Sequence, residues 1–222
     1  MKKKLTAAVI GLSMVASMGA GAYAASNLTP IKAYLNSGLS FKVNGTPFQL
    51  QNGNGGTLAP ITYNNTTYLP IRSVSDALGI AVNIDAKGVI QLGEQVEGVS
   101  IVNGFSGDLR TKDPAKTVYD GKDYKDVYLN NLSGSRSASF MLYPKKKYQK
   151  LYLQVAAIGK DIKEFTVQDS DTDVELKTTP IAMSDGLMTV EVDIGGANSL
   201  YVHAEASDGG SVFVPLQTSY FK

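Results

Sequence analysis

From residue 118 to the end of the chain, apolar and polar residues alternate with a period of two. The run MTVEVDI over 188–194 shows this pattern clearly. Successive side chains of a β-strand point to opposite faces of a sheet, so the run predicts a strand with one face buried and the other in water. The same alternation returns over 138–142, 151–155, 165–167, 200–204 and 212–216. Several short strands separated by Gly, Asp and Ser residues predict an antiparallel β-sandwich or barrel.

The segment 39–92 carries the turn signals of three β-hairpins. Asn44-Gly45 separates two short apolar runs, and Asn64-Asn65 separates the next two. Asn and Gly tolerate positive φ, which the tight turns of hairpins require. A third pair of runs flanks the turn 85–88.

One helix is predicted between the second and third hairpins. Pro70 suits the first position of a helix, and Gly79 suits its left-handed end. Ile71, Val74 and Leu78 fall at helical spacing and predict one apolar stripe. The segment 39–92 is therefore predicted to be a small α+β unit, and the chain as a whole to be mainly β.

Composition excludes several kinds of site. The 222 residues include no cysteine and a single histidine, His203. Zinc sites built on cysteine and metal sites built on several histidines are therefore excluded within one chain. Basic residues number 21 and acidic residues 20, so the strongly basic surface of a nucleic-acid-binding protein is absent.

The first 24 residues predict export. Lys2, Lys3 and Lys4 precede an uncharged apolar stretch, and Ala22-Tyr23-Ala24 supplies the small residues of a cleavage site. This is the pattern of a secretory signal peptide, and it predicts a protein that works outside the cytoplasm. The alternative is an uncleaved anchor, although the strongly apolar part is shorter than the ~20 residues of a spanning helix. No second run of that length follows, so no stable transmembrane segment is predicted after cleavage.

The runs VNGTPFQL and PITYNNTTYLPIRSVSDALGIAVNIDAKGVIQL resemble the copper amine oxidase N-terminal-like stalk domain over about 31–93. The matching residues are Asn44, Gly45, Tyr68, Leu69, Pro70, Ile71, Arg72, Leu78 and Gly79. The resemblance implies a spacer of the bacterial cell envelope. It implies no copper, because the chain has no His/Cys cluster to hold the metal.

The runs YDGKDYKDVYLNNLSGSRSASFML, YPKKKYQKLYLQVAAIGKD and MTVEVDIGGANSLYVHAEA are similar to the NPCBM-like jelly-roll modules over about 105–222. That resemblance implies a jelly-roll β-sandwich of the carbohydrate-binding type. The predicted organisation is a signal peptide (1–24), a linker or leading strand (25–38), a stalk-like domain (39–93), a connector (94–107) and a β-sandwich binding module (108–222).

Four tyrosines at or near predicted strand ends are candidates for glycan binding: Tyr119, Tyr124, Tyr143 and Tyr148. A sugar ring stacks its C–H groups on an aromatic face, and nearby polar side chains bind its hydroxyls. Asp123 and Arg136 are the polar candidates. The alternative is that the tyrosines cover the core and edges of the sandwich, since tyrosine favours strands.

Two further clusters have both a functional and a purely structural interpretation. Lys145, Lys146 and Lys147, with Lys150, can attract an anionic polymer, or can simply keep a hairpin tip soluble. The alternate carboxylates of Asp169, Asp171 and Asp173 suit a structural Ca²⁺, or a solvated turn between two strands.

The sequence therefore predicts a secreted, cell-envelope-associated protein without catalytic activity. Its sandwich is expected to bind a polysaccharide or cell-wall polymer, with the stalk as a spacer. The alternative is a structural protein that assembles with protein partners in a surface or spore layer. A hydrolase is disfavoured because no motif places a nucleophile or a pair of carboxylates.

Overall fold

The computed structural model describes residues 29–95, 97–131 and 136–222, with only the backbone of residues 136 and 137. The predicted signal peptide lies outside these residues. The described chain is mainly β, with one α-helix and two short 3-10 helices among its strands. None of its helices is long and apolar enough to cross a membrane.

Seven short strands and the helix precede residue 95. In chain order they are β1 (Tyr34–Leu35), β2 (Phe41–Val43), β3 (Thr46–Phe48), β4 (Ile61–Tyr63), β5 (Thr66–Tyr68), α1 (Ile71–Leu78), β6 (Val82–Ile84) and β7 (Ile90–Leu92).

All three predicted hairpins form: β2 pairs with β3, β4 with β5, and β6 with β7, each antiparallel. The turn residues Asn44, Gly45, Asn64 and Asn65 have positive φ values of 48°, 83°, 47° and 57°. The turns were predictable because their chemistry is local to two residues.

The described residues fall into two compact units. The first comprises residues up to Ser37 together with Ala59–Tyr68. It is a three-stranded antiparallel sheet in the order β1-β4-β5. The second unit comprises Gly38–Leu58 and Leu69–Lys222, so it includes α1, the other two hairpins and everything that follows. The predicted domain limits at 39–93 and 108–222 stay a prediction.

Fourteen strands follow in the second unit. They are β8 (Val99–Ser100), β9 (Phe105–Ser106), β10 (Arg110–Thr111), β11 (Val118–Tyr119), β12 (Lys122–Asp123), β13 (Val127–Asn130), β14 (Arg136–Leu142), β15 (Lys150–Ile158), β16 (Ile162–Asp169), β17 (Val174–Ile181), β18 (Met188–Asp193), β19 (Leu200–Ala206), β20 (Ser211–Pro215) and β21 (Tyr220–Phe221). The 3-10 helices are Ile101–Gly104 and Met183–Asp185.

Twelve of these strands form an antiparallel β-sandwich, as the alternation predicts, and β11 and β12 pair with each other in a separate two-stranded sheet. One sheet has seven strands in the order β10-β13-β20-β15-β21-β8, with β18 paired to β15. The other has five strands in the order β17-β16-β19-β14-β9. Every pairing in both sheets is antiparallel.

The main core lies between the two sheets. In β15, Leu151, Leu153 and Val155 are fully buried, whereas the residues between them are half-exposed. Phe165 of β16 and Val202 of β19 belong to the same buried cluster from the other sheet. The period of two in the sequence therefore indicates which side chains of each strand face the core.

The segment 99–106, which the sequence predicts as part of a connector, instead contributes a strand to each sheet. β8 pairs with β21 in the seven-stranded sheet, and β9 pairs with β14 in the five-stranded one. Ile101, between them, is fully buried in the core. Two-residue strands carry no readable alternation, so only the tertiary pairing identifies them.

The helix α1 ends as predicted, but the ends of its predicted apolar stripe are exposed. Gly79 takes the left-handed conformation at its end, with φ 65°. Ile71 and Leu78 of the predicted apolar stripe are 39% and 49% exposed, whereas Ser73 and Ser75 are buried. The Ser73 hydroxyl accepts a hydrogen bond from the Gln51 main-chain N–H at 3.0 Å, so this buried hydroxyl has a partner.

Candidate ligand-binding site

Two of the predicted tyrosines, Tyr143 and Tyr148, meet in one cleft of the sandwich. It has a volume of about 170 Å³ and lies between the turn after β14, the 3-10 helix after β8, and β21. We call it the aromatic cleft. Its lining residues are Val99, Ser100, Asn103, Gly104, Tyr143, Pro144, Lys145, Lys147, Tyr148 and Phe221.

The aromatic cleft has a rigid floor and an accessible ring at its rim. The rings of Tyr148 and Phe221 stack with centroids 5.0 Å apart and planes inclined by 14°. Phe221 is buried, and partial burial raises the pKa of Tyr148. Tyr143 is 40% exposed, while its main-chain N–H donates to the Gly104 carbonyl at 2.8 Å. The cleft therefore presents aromatic surface on a fixed backbone.

One wall of the aromatic cleft is the basic turn, which we define as Pro144–Lys147. Its central residues Lys145 and Lys146 both have left-handed backbones, with φ 55° and 59°. The Lys147 N–H donates to the Pro144 carbonyl at 3.2 Å and closes the turn. Lys150, predicted as part of the same patch, is paired instead with Glu191 at 2.9 Å.

A second and larger cleft lies on the other side of the basic turn. It has two lobes of about 480 and 440 Å³, which share Gln51, Asn52, Gly53, Asp76 and Lys146. We call it the polar cleft. The first lobe is completed by Phe48, Gln49, Gly55, Ser73 and Ala77, and the second by Arg72, Val82, Lys145, Asp171 and Asn198. Lys145 lines both the aromatic and the polar cleft.

The polar cleft is lined mainly by side-chain amides and charges. Asp76 of α1 pairs with Lys146 of the basic turn at 3.1 Å. Across that junction, the Val82 N–H donates to the Lys146 carbonyl at 3.1 Å. These contacts connect α1 and β6 to the sandwich, so the polar cleft exists only in the folded second unit.

The other two predicted tyrosines have a different role. The ring of Tyr119 stacks on Phe213 at 5.4 Å, and Tyr124 meets the same ring edge-on at 5.7 Å. Phe213 belongs to a small buried cluster that also contains Val127 and Ala156. Tyr119 and Tyr124 therefore cover a satellite core, and the structure does not bring them to the aromatic cleft.

The polar candidate Asp123 does not line the aromatic cleft. The Asp123 carboxylate accepts hydrogen bonds from the Lys125 ammonium at 2.6 Å and from the Thr117 hydroxyl at 2.6 Å. These bonds, with that of the Lys125 ammonium the largest contribution, lower the pKa of Asp123 to about 2. Arg136 begins β14 opposite Ala206, and its side chain lies outside the described part of the structure.

The three aspartates considered for Ca²⁺ are engaged in the turn between β16 and β17. Asp169 accepts from the Asp171 N–H at 2.9 Å, Asp171 from the Ser199 hydroxyl at 3.1 Å, and Asp173 from the Gln168 amide at 3.2 Å. No group of three or more potential metal ligands occurs among the described residues. The turn lies where the sequence predicts it, and the Ca²⁺ interpretation stays a prediction.

Sequence reasoning missed most of the polar cleft. Arg72, Gln51 and Asn198 come from a helix, a loop and a turn that lie far apart in the sequence. The Gly- and Asn-rich loop after Leu50 carries no local pattern that identifies it as part of a cleft. The one available signal was the lysine run, which pointed to the turn between the two clefts.

Comparisons with known proteins identify a distant similarity. No family model matches the chain. No curated protein matches it either. Among solved structures, it is similar to the tandem CBM51 modules of Sp3GH98, the family 98 glycoside hydrolase from Streptococcus pneumoniae SP3-BS71, with 12% identity and a TM-score of 0.35. The match covers 64% of this chain and 43% of that one, so the chain spans less than half of that structure's length.

Proposed function

We propose that this protein is a secreted, cell-envelope-associated, non-catalytic protein that binds a glycan in the aromatic cleft. The observation that carries this proposal is the exposed Tyr143 in the same cleft as Lys145 and Lys147. An aromatic face with a few convergent polar groups is the composition of a sugar-binding pocket. Asn103 lines the same cleft and can donate to or accept from sugar hydroxyls.

The dimensions of the aromatic cleft favour a small part of a larger ligand. Pockets that enclose a drug-sized molecule have volumes of about 300–1,000 Å³, and the aromatic cleft has 170 Å³. It therefore suits one sugar unit or a chain end. The stacked Tyr148 and Phe221 rings fix the floor before binding, which reduces the ordering cost of association.

The test is retention of the purified protein on insoluble cell wall and on a panel of immobilised polysaccharides. Tyr143→Ala is expected to reduce retention at least about fivefold, because it removes the stacking surface. Tyr201→Ala is the matched control, since Tyr201 is half-exposed on β19 and lines neither cleft. Retention no greater than that of an unrelated β-sandwich protein would contradict the proposal.

Absence of catalysis is part of the proposal and has its own test. Incubation with chromogenic glycosides and esters is expected to give no turnover above the buffer rate. Turnover that disappears on substitution of one acidic or serine residue would contradict it.

A second candidate function is assembly with protein partners in a surface layer, and one observation favours it. The register of the β6–β7 hairpin places Ile84 opposite Ile90, and these residues and Leu92 are 45%, 51% and 52% exposed. Contiguous exposed apolar surface is typical of protein interfaces. Sedimentation and crosslinking of the Ile84→Ser/Ile90→Ser variant, with Asn83→Ser/Gln91→Ser as control, test it. A strictly monomeric protein would contradict assembly.

A further inference from the structure

The polar cleft contains cations and amides that the fold does not use. Within the described residues, the Arg72 guanidinium and the Lys145 ammonium take part in no hydrogen bond or ion pair. The side-chain amides of Gln51 and Asn198 are likewise unpartnered there. The second lobe of the polar cleft therefore offers two free cationic groups and two free amides.

The acidic residues of this lobe are already occupied. Asp76 is paired with Lys146 at 3.1 Å, and Asp171 accepts from the Ser199 hydroxyl at 3.1 Å. Lys146 compensates the charge of Asp76, which leaves Arg72 and Lys145 as the uncompensated cations opposite Asp171. Two free cations against one carboxylate favour an anionic group in the lobe.

The basic turn is built at a conformational cost. Non-glycine residues rarely take the left-handed conformation, and the hairpin turns nearer the N-terminus use Asn and Gly for it. Here two lysines take it, held by hydrogen bonds from the Lys145 N–H to Asn198 at 3.1 Å and from the Lys146 N–H to Ala197 at 2.9 Å. Strained residues that neighbours hold in place are concentrated at ligand-binding positions.

We propose that the polar cleft is a second subsite for the same ligand, and that this ligand is an acidic polysaccharide. One sugar unit lies in the aromatic cleft, and the carboxylate or phosphate of a neighbouring unit is bound in the polar cleft by Arg72 and Lys145. The inference rests on the proposed function. Lys145 makes the two subsites adjacent, because it lines both clefts.

The chemistry of the free groups matches such a ligand. A guanidinium donates two parallel hydrogen bonds to a carboxylate or a phosphate, and an ammonium adds a point charge. The amides of Gln51 and Asn198 both donate and accept, as sugar hydroxyls require. The side chains that contact the anion are exposed, so the affinity depends on salt.

The experiment is calorimetric titration of the purified protein with three polymers at 50 and 300 mM NaCl. Polygalacturonate carries carboxylates on its sugars, phosphomannan carries phosphate groups on its sugars, and amylose is neutral. The variants are Arg72→Gln, Tyr143→Ala and, as a control, Lys163→Gln, which removes an exposed cation of β16 that lines neither cleft. Arg72 is exposed on α1 and glutamine is a good helix former, so Arg72→Gln keeps the fold.

The expected result is tighter binding of one acidic polymer than of amylose. Arg72→Gln should weaken binding of the acidic polymer about fivefold at low salt and should reduce the salt dependence of that binding. Binding of amylose should not change. The acidic polymer that binds identifies the anionic group. Tyr143→Ala should weaken the binding of every polymer that the unmodified protein binds.

The outcomes separate this inference from the proposed function. If Arg72→Gln behaves like Lys163→Gln while Tyr143→Ala loses binding, the polar subsite is wrong and the aromatic cleft stands. Preference for amylose over both acidic polymers leads to the same conclusion. If the unmodified protein binds none of the polymers or the wall material, glycan binding itself is wrong, and the polar subsite with it.

Discussion

The side-chain carbonyl of Gln149 accepts a hydrogen bond from the main-chain N–H of Ala81 at 3.0 Å. Ala81 is fully buried just after α1, and Gln149 immediately precedes β15. The amide nitrogen of Gln149 also donates to the Gly79 carbonyl at 3.3 Å and to the Asp193 carboxylate at 2.7 Å. One side chain thus satisfies main-chain groups at the end of the helix and attaches that end to the sandwich.

Replacing Gln149 should therefore loosen the helix. In Gln149→Leu the Ala81 N–H stays buried without a partner, which should lower the free energy of unfolding by about 2 kcal/mol. Urea denaturation measures the change. Gln91→Leu, at a half-exposed position of β7, serves as the control and should change stability by less than about 0.5 kcal/mol. Equal effects of the two substitutions would show that the hydrogen bonds of Gln149 do not contribute to stability.

A buried ion pair should be important for the stability of the sandwich. Arg110 contacts Asp126 with Nε–Oδ1 2.9 Å and Nη2–Oδ2 2.6 Å, and this hydrogen bonding raises the pKa of Arg110. Asp126 is 1% exposed, so Arg110→Met leaves its carboxylate nearly uncompensated, since Lys112 at 3.7 Å is its one other ion-pair partner among the described residues. A loss of about 3 kcal/mol is expected in urea denaturation.

The control for that ion pair is an exposed one. Asp76→Asn removes the ion pair between Asp76 and Lys146. The side chain of Asp76 is 44% exposed and that of Lys146 is 46% exposed. The expected loss is below about 1 kcal/mol, because water solvates both groups. A larger loss for Asp76→Asn than for Arg110→Met would contradict the ranking by burial.

Asp123 should make stability depend on pH in the acid range. Its folded pKa is lowered to about 2, chiefly by the Lys125 ammonium and then by the Thr117 hydroxyl, against about 4 in an unfolded chain. A carboxyl whose pKa is lower in the folded protein than in the unfolded chain stabilises the fold at pH values above its unfolded pKa. That stabilisation is lost as the pH falls through the folded pKa. The melting temperature should therefore fall between about pH 4 and pH 2. Asp123→Asn should flatten this fall, and Asp120→Asn, at an exposed position of the same loop, should not.

A substitution in the basic turn should stabilise the protein and weaken ligand binding. Lys145→Asn keeps the left-handed backbone with a residue that tolerates it, so thermal unfolding should show a gain of up to about 1 kcal/mol. The same variant should weaken binding of the acidic polymer, because it removes a cation shared by both clefts. Lys147→Asn, in the same turn but without a positive φ, should give no such gain. A Lys145→Asn variant no more stable than Lys147→Asn would show that the turn is unstrained.

The predicted tyrosines show how far sequence reasoning reaches toward the site. All four lie near strand ends, and nothing local to them separates Tyr143 and Tyr148 from Tyr119 and Tyr124. The difference is in their surroundings: Tyr143 and Tyr148 line a cleft together with Phe221, whereas Tyr119 and Tyr124 pack on Phe213 in a satellite core. Those neighbours come from strands about 70 to 95 residues further along the chain, so no local pattern reports them.

The sequence alone determined the strands of the sandwich that are long enough to show a period of two, the three hairpin turns and the limits of α1. Each depends on interactions within a few residues: side-chain alternation, positive φ at Asn and Gly, and a glycine at the helix end. Only the tertiary structure decided the pairing of β8 and β9, which side chains of α1 are buried, and the two clefts on either side of Lys145. These depend on contacts between distant segments, where packing and main-chain hydrogen bonds override the local pattern.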